Sequence, residues 1–185
     1  MTTYSNLERL LDGLPLVEED HVFAPVRPAL SPELAQLMAE RNALLEPRAD
    51  EEEGPSDERA LGEGYTQRAA SLDEQINEAL ADEHPDAPRV RLRGLSDEDY
   101  VEVAAEVTQL GVERVKAEKP QLSIDERTVE SVVRYVARAV TIPEMSVDDV
   151  RVLRRRLNQG EWARLITHVR QLGGASAEQA SLPNS

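Results

Sequence analysis

Apolar residues recur every three or four positions through most of this chain, and that spacing predicts helices. The first stripe, Leu7, Leu10, Leu11 and Leu14 behind a capping Ser5, predicts a short amphipathic helix. Pro15, Pro25 and Pro28 then predict extended or irregular chain, because proline fixes φ and restrains the residue before it. Ser31, Pro32 and Glu33 together mark a helix start. Leu34, Leu37, Met38, Leu44 and Leu45 carry that helix up to Pro47. The run RADEEEGPSDE predicts a solvated hinge, since it offers almost no apolar surface. From about Ser56, Leu61, Tyr65, Ala69, Leu72, Ile76 and Leu80 form a narrow stripe that ends before Pro85. A stripe of that width suits an antiparallel hairpin with the helix that begins at Pro32.

Period two occurs clearly once, where Arg89, Arg91 and Arg93 alternate with Val90 and Leu92. The expected partner of this strand is the stretch Val22 to Val26 or a strand of another molecule. Ser96 with Asp97, Glu98 and Asp99 opens a helix lined by Tyr100, Val103, Ala104, Val107 and Leu110. Ser123 opens a helix of Val129, Val132, Val133, Val136 and Val140 that is expected to run to Pro143. Ser146 opens another, striped by Val150, Leu153 and Leu157. Asn158 to Gly160 form a turn, and Glu161 to Leu172 follow with Trp162, Leu165, Ile166 and Val169 before Gly173 and Gly174 stop the helix. The expected fold is mainly α, a helical hairpin plus a compact C-terminal helical block, with at most one small β element near residues 89–93. The expected units are acidic helices and hinge over 1–55, an amphipathic helix over 56–87, a helical domain over 88–172 and a disordered tail over 173–185.

Composition narrows the chemistry. One Trp, one Phe and four Tyr leave aliphatic side chains to fill the core, as in packed helices. The chain has no Cys, hence no disulfide, thiolate ligand or thiol nucleophile, which fits a reducing cytoplasm. No segment reaches the roughly 20 apolar residues that span a bilayer, and the N-terminus lacks the pattern of a secretory signal. Residues 1–87 hold 21 acidic and 6 basic side chains, whereas residues 88–172 hold 14 and 15, so the net charge of −15 lies almost wholly in the first half. Such a field repels phosphate backbones and anionic lipid, which argues against nucleic-acid and membrane partners.

The usual sites leave no local trace. His21, His84 and His168 are far apart in sequence, without a second ligand at metal-binding spacing, so neither metal nor cofactor is expected. The acidic residues from Asp50 to Glu58 lack the ligand order of a calcium loop. There is no phosphate loop, no nucleophile elbow and no histidine pair one helical turn apart, and the expectation is a protein without catalytic activity. Arg151, Arg154, Arg155 and Arg156 lie close to Asp148, Asp149 and Glu161 and are expected on a solvated surface, where they could meet the acidic first half. Trp162 is expected as a core anchor in preference to a partner contact.

SLDEQINEAL, VRLRGLSDEDYVEVAAEV and VARAVTIPEMSVDDVRVLRRRLNQGEWARLITHVRQL follow one another in an order that resembles the tail assembly chaperones of long-tailed phages infecting actinobacteria. The resemblance spans residues 56–172. Leu92 stands where that family usually has an aromatic, and the His-Pro that often closes the following helix is missing.

The resemblance implies a non-catalytic helper in the host bacterial cytoplasm. Such a helper binds the tape measure protein and other phage tail proteins and keeps the tape measure soluble while the tail tube assembles. It also implies a longer form made by translational frameshifting. Leu72, Ile76, Leu80, Leu153, Trp162, Leu165, Ile166 and Val169 are the candidate partner-binding residues, and a homo-oligomer is a further expectation. The alternatives are a tail or connector protein retained in the virion, or an acidic protein-binding adaptor.

Overall fold

A computed structural model describes residues 17–25, 30–44 and 67–181. The helix expected from Ser5 and the acidic hinge near Gly54 lie outside the described residues.

The described elements are β1 (Glu18–Val22), α1 (Pro32–Ala43), α2 (Gln67–Glu83), β2 (Arg89–Arg93), α3 (Asp97–Lys116), α4 (Ile124–Ala139), β3 (Val140–Ile142), α5 (Val147–Arg156) and α6 (Gln159–Ser181). The fold is mainly helical with one small sheet near residues 89–93, as the periodicity predicts.

Local chemistry explains the helix starts. The Ser31 hydroxyl accepts from the Leu34 amide with Pro32 in the first turn. Ser96, Ser123 and Ser146 each close a capping box with the acidic residue three positions on, namely Asp99, Glu126 and Asp149. Each box satisfies amides that would otherwise lack partners and places a carboxylate at the positive end of a helix.

α1 and α2 form the expected antiparallel hairpin. Ser31 Oγ donates to Glu83 at one end and Arg68 pairs with Glu40 at the other. Leu34, Ile76, Leu80, Ala87 and Val22 form a small core between the hairpin and β1. The larger core joins Phe23, Val90, Leu92 and Leu95 to Val132, Val133, Val136, Val140, Val150 and the inner face of α6.

The sheet order is β1-β2-β3, antiparallel throughout. Three details differ from the sequence reading. β2 pairs with Glu18–Val22, overlapping the expected stretch only at Val22. α4 ends at Ala139, because the β-branched run Val140, Thr141, Ile142 leaves the helix and pairs with β2. α6 also continues through Gly173 and Gly174 to Ser181, where a helix stop and then a disordered tail are expected. Gly173 serves close packing: a Cβ there would lie 3.1 Å from the Tyr100 hydroxyl and 3.5 Å from the Leu95 carbonyl oxygen.

β1 is an edge strand whose outward backbone is covered. Asn77 Oδ1 accepts from the Val22 amide and Asn77 Nδ2 donates to the Asp20 carbonyl, both at 2.7 Å. One side chain of α2 thereby occupies an edge that could otherwise recruit a foreign strand. β1, from the first expected unit, and β2, from the third, therefore share one sheet across the expected boundaries.

Candidate protein-binding cleft

Most of the sequence-nominated binding residues fill this chain's own core. Ile76, Leu80 and Leu165 are 0 % exposed, and Leu72, Trp162, Ile166 and Val169 are also buried. Leu153 is half-buried against the larger core. Ile76 and Leu80 belong to the small core, whereas Trp162, Leu165, Ile166 and Val169 belong to the large one. Only Trp162 of the eight also lines the open cleft between α4, α5 and the start of α6.

That cleft encloses about 660 Å³. Val129 and Val133 of α4, Leu157 and Trp162 supply its apolar lining, and Arg151, Arg154 and Arg155 of α5 supply its charge. The Arg154 guanidinium carbon sits 5.9 Å from the centre of the Trp162 ring, at the distance of a cation–π contact. Arg151 reaches across to Glu130 of α4 at 2.6 Å and to Asp148 at 2.6 Å. Burial works against ionisation of Glu130, but its bonds from Arg134 and Arg151 prevail and hold the carboxyl below its ordinary range.

The local order of these parts follows from sequence. The Ser146 box fixes the first turn of α5, its apolar stripe turns Val150 inward, and the three arginines follow on its later turns. Asn158 Oδ1 accepts from the Glu161 amide and starts α6 with Trp162 in its first turn. Gly160 packs under α1: a Cβ there would lie 2.3 Å from Asn42 Oδ1, so any other residue would make the exposed Asn42 side chain swing aside. The result is an apolar trough with guanidinium groups along it, suited to an apolar side chain flanked by carboxylates.

A second cluster lies buried beneath α2 and α6. Arg41 of α1 grips Asp73 of α2 through Nε at 2.8 Å and Nη2 at 3.3 Å, and its Nη1 donates to the Gly160 carbonyl. Arg164 of α6 places Nε 3.7 Å from Asp73 and donates to Glu161 at 2.9 Å. Glu161 in turn accepts from the Ala24 amide at 3.0 Å. Two cations and two anions thus balance in the interior. Burial pushes the Asp73 carboxyl up from its ordinary range, against the pull of Arg41 and Arg164.

His21 and His168, separated by 147 positions, meet beside this quartet. Their Nδ1 atoms are 3.2 Å apart, and His168 Nε2 lies 3.0 Å from Glu19 Oε2. Both contacts are satisfied when His168 donates to Glu19 and accepts from His21, which leaves the buried His21 Nε2 without a partner, as observed. Two histidines far apart in sequence are thus neighbours in the fold. Among the described residues, no group of three or more His, Asp or Glu side chains is arranged to hold a metal ion. A cleft of about 420 Å³ adjoins the pair, lined also by Asp73, Glu74, Asn77 and Glu78.

Burial, with the nearby charges of Arg164 and Arg41, lowers the His21 pKa well below 6.5. A depressed folded pKa means that stability is complete above the unfolded value and declines as pH falls, because only the unfolded chain takes up the proton. The unfolding free energy measured in urea should therefore decline as pH falls below about 6.5, by up to about 1.4 kcal/mol per pH unit. The slope should be shallower in His21→Gln, and equal slopes in the two proteins would contradict this reading.

Comparison with protein-family models, curated proteins and solved structures finds no match to this chain.

Proposed function

We propose that this chain is a non-catalytic helper that holds an apolar helical client protein in solution. In its finer form the reading is a phage tail assembly chaperone whose client is the tape measure protein, acting in the host cytoplasm. The observation that supports it best is the open cleft at Trp162, where an apolar trough lies beside Arg151, Arg154 and Arg155. An amphipathic client helix can seat apolar side chains in that trough and set its carboxylates against the arginines. The excess negative charge of the first 87 residues would keep the complex dispersed, since like-charged complexes repel one another.

This reading revises the binding surface inferred from sequence. The stripes of α2 and α6 serve the interior, while the α4–α5 cleft contacts the client. None of the described helices is long and apolar enough to cross a membrane.

Co-expression with a phage tape measure protein tests the proposal. The expected result is a soluble complex that co-purifies, and a client that precipitates when the chain carries Arg154→Glu and Arg155→Glu. Purified phage particles examined by mass spectrometry should lack the chain. A client equally insoluble with and without the chain, and never co-purifying, would overturn the proposal, as would stoichiometric retention in the virion.

A further inference from the structure

α3 packs on α4 along one side only. Val103 and Val107 are buried, and Glu102 and Glu106 pair with Arg138 of α4. The opposite side faces outward. Val101 is 68 % exposed, Val112 42 % and Val115 48 %. With Thr108 these valines follow the three- and four-residue spacing of a single helix face. Ala104, Ala105 and Gly111 complete that face, and the space around Gly111 is open. In a chain that is 31 % charged, no charged side chain interrupts this face between Val101 and Val115. At 1.5 Å per residue it runs for about 21 Å.

The face is complementary to itself. In an antiparallel pair centred on Thr108, Val101 of one copy lies opposite Val115 of the other, Ala104 opposite Val112, and Ala105 opposite Gly111. Each of these pairs is apolar: valine meets valine at the two ends, while the small residues Ala104, Ala105 and Gly111 nearer the axis let the two helices approach closely. The flanking charges agree with the same arrangement. Glu98 near the start of α3 and Lys116 at its end are both exposed and lie on the same flank, so the two-fold places each beside its opposite in the second copy. A parallel pair would set the acidic first turn, Asp97, Glu98 and Asp99, against its own copy.

We propose that the outer face of α3 is the interface of a two-fold symmetric homodimer in which α3 pairs antiparallel with α3 of a second copy, Thr108 lying on the axis. A two-fold contact of this kind uses one patch twice and closes on itself, so it yields dimers and not filaments. It uses a different surface from the Trp162 cleft and stands independently of the client proposal.

Sedimentation velocity of the full chain over a wide concentration range should show a monomer–dimer equilibrium. Val112→Glu should weaken it by about tenfold or more with helicity unchanged by circular dichroism. The chain has no native Cys, so single cysteines report geometry directly. Mild oxidation should link Thr108→Cys to itself. Val101→Cys should link poorly alone but efficiently when mixed with Val115→Cys. A chain that stays monomeric at every concentration overturns the inference, as does a dimer indifferent to Val112→Glu. Self-linking of Val101→Cys as efficient as that of Thr108→Cys also overturns it.

Discussion

Asp73→Ala is expected to destabilise the protein by about 3–5 kcal/mol, because it leaves the buried guanidinium groups of Arg41 and Arg164 with Glu161 as the only anion of the quartet. The Arg41 side chain is 0 % exposed and that of Asp73 4 %, so water could reach the stranded guanidinium groups only through the cleft that Asp73 lines, a poor replacement for the missing carboxylate. For a chain of this size the loss corresponds to a fall in melting temperature of about 10 °C. The double replacement Arg41→Met with Asp73→Leu should recover much of it, since removing both members of a buried pair avoids the stranded charge. Chemical denaturation of the three proteins checks this, and a loss below about 1 kcal/mol for Asp73→Ala would place the pair in a far wetter environment than its burial indicates.

Ile76→Ala is the second large effect. Ile76 is 0 % exposed among Val22, Leu34, Leu80 and Ala87, and truncating it should cost about 2–5 kcal/mol through lost burial and the cavity left behind. Equilibrium unfolding reads this directly, with Val152→Ala, at an exposed position of α5, as the near-neutral comparison. Had α2 offered its stripe to a partner, the same change would leave the stability of the free chain almost untouched and weaken binding alone. An unfolding curve that does not move on Ile76→Ala would restore that earlier reading.

These two positions show where sequence reasoning reached and where it stopped. The apolar stripe through Ile76 and Leu80 was legible from spacing, and so was the hairpin with the helix at Pro32. Spacing reports that a face needs covering, however, and says nothing of whether the cover comes from the same chain. Helix starts were legible at Ser31, Ser96, Ser123 and Ser146 because capping is local chemistry, completed within four residues. β2 was visible through its alternation. β1, written Glu-Glu-Asp-His-Val, carries three acidic residues and has strand character only because β2 and Asn77 satisfy its backbone on both sides.

Glycine misled the reading of α6 for a physical reason. Gly173 followed by Gly174 is the usual signal of a helix end, but the same residue also appears where two elements pass close together, as Gly173 does against Tyr100 and Leu95.

The candidate sites divide along the same line. Trp162 and the arginines of α5 were each conspicuous in the sequence, yet the trough exists only once α4 packs alongside them. The ionic quartet draws on α1, α2 and α6, and the histidine pair on β1 and α6. No local pattern announces such long-range clusters. The one available signal was indirect: Arg41 and Asp73 lie on otherwise apolar helix faces, where a charge needs a buried partner.

Trp162 gives the most direct test of the client-binding account, because it is the chain's sole tryptophan and lines the cleft itself. Titrating a helical segment of the tape measure protein that carries apolar residues flanked by carboxylates should change Trp162 emission saturably, and Arg154→Glu with Arg155→Glu should abolish that change. Tight binding of the segment, seen by calorimetry, with Trp162 emission unaltered and the double variant binding equally well, would contradict it.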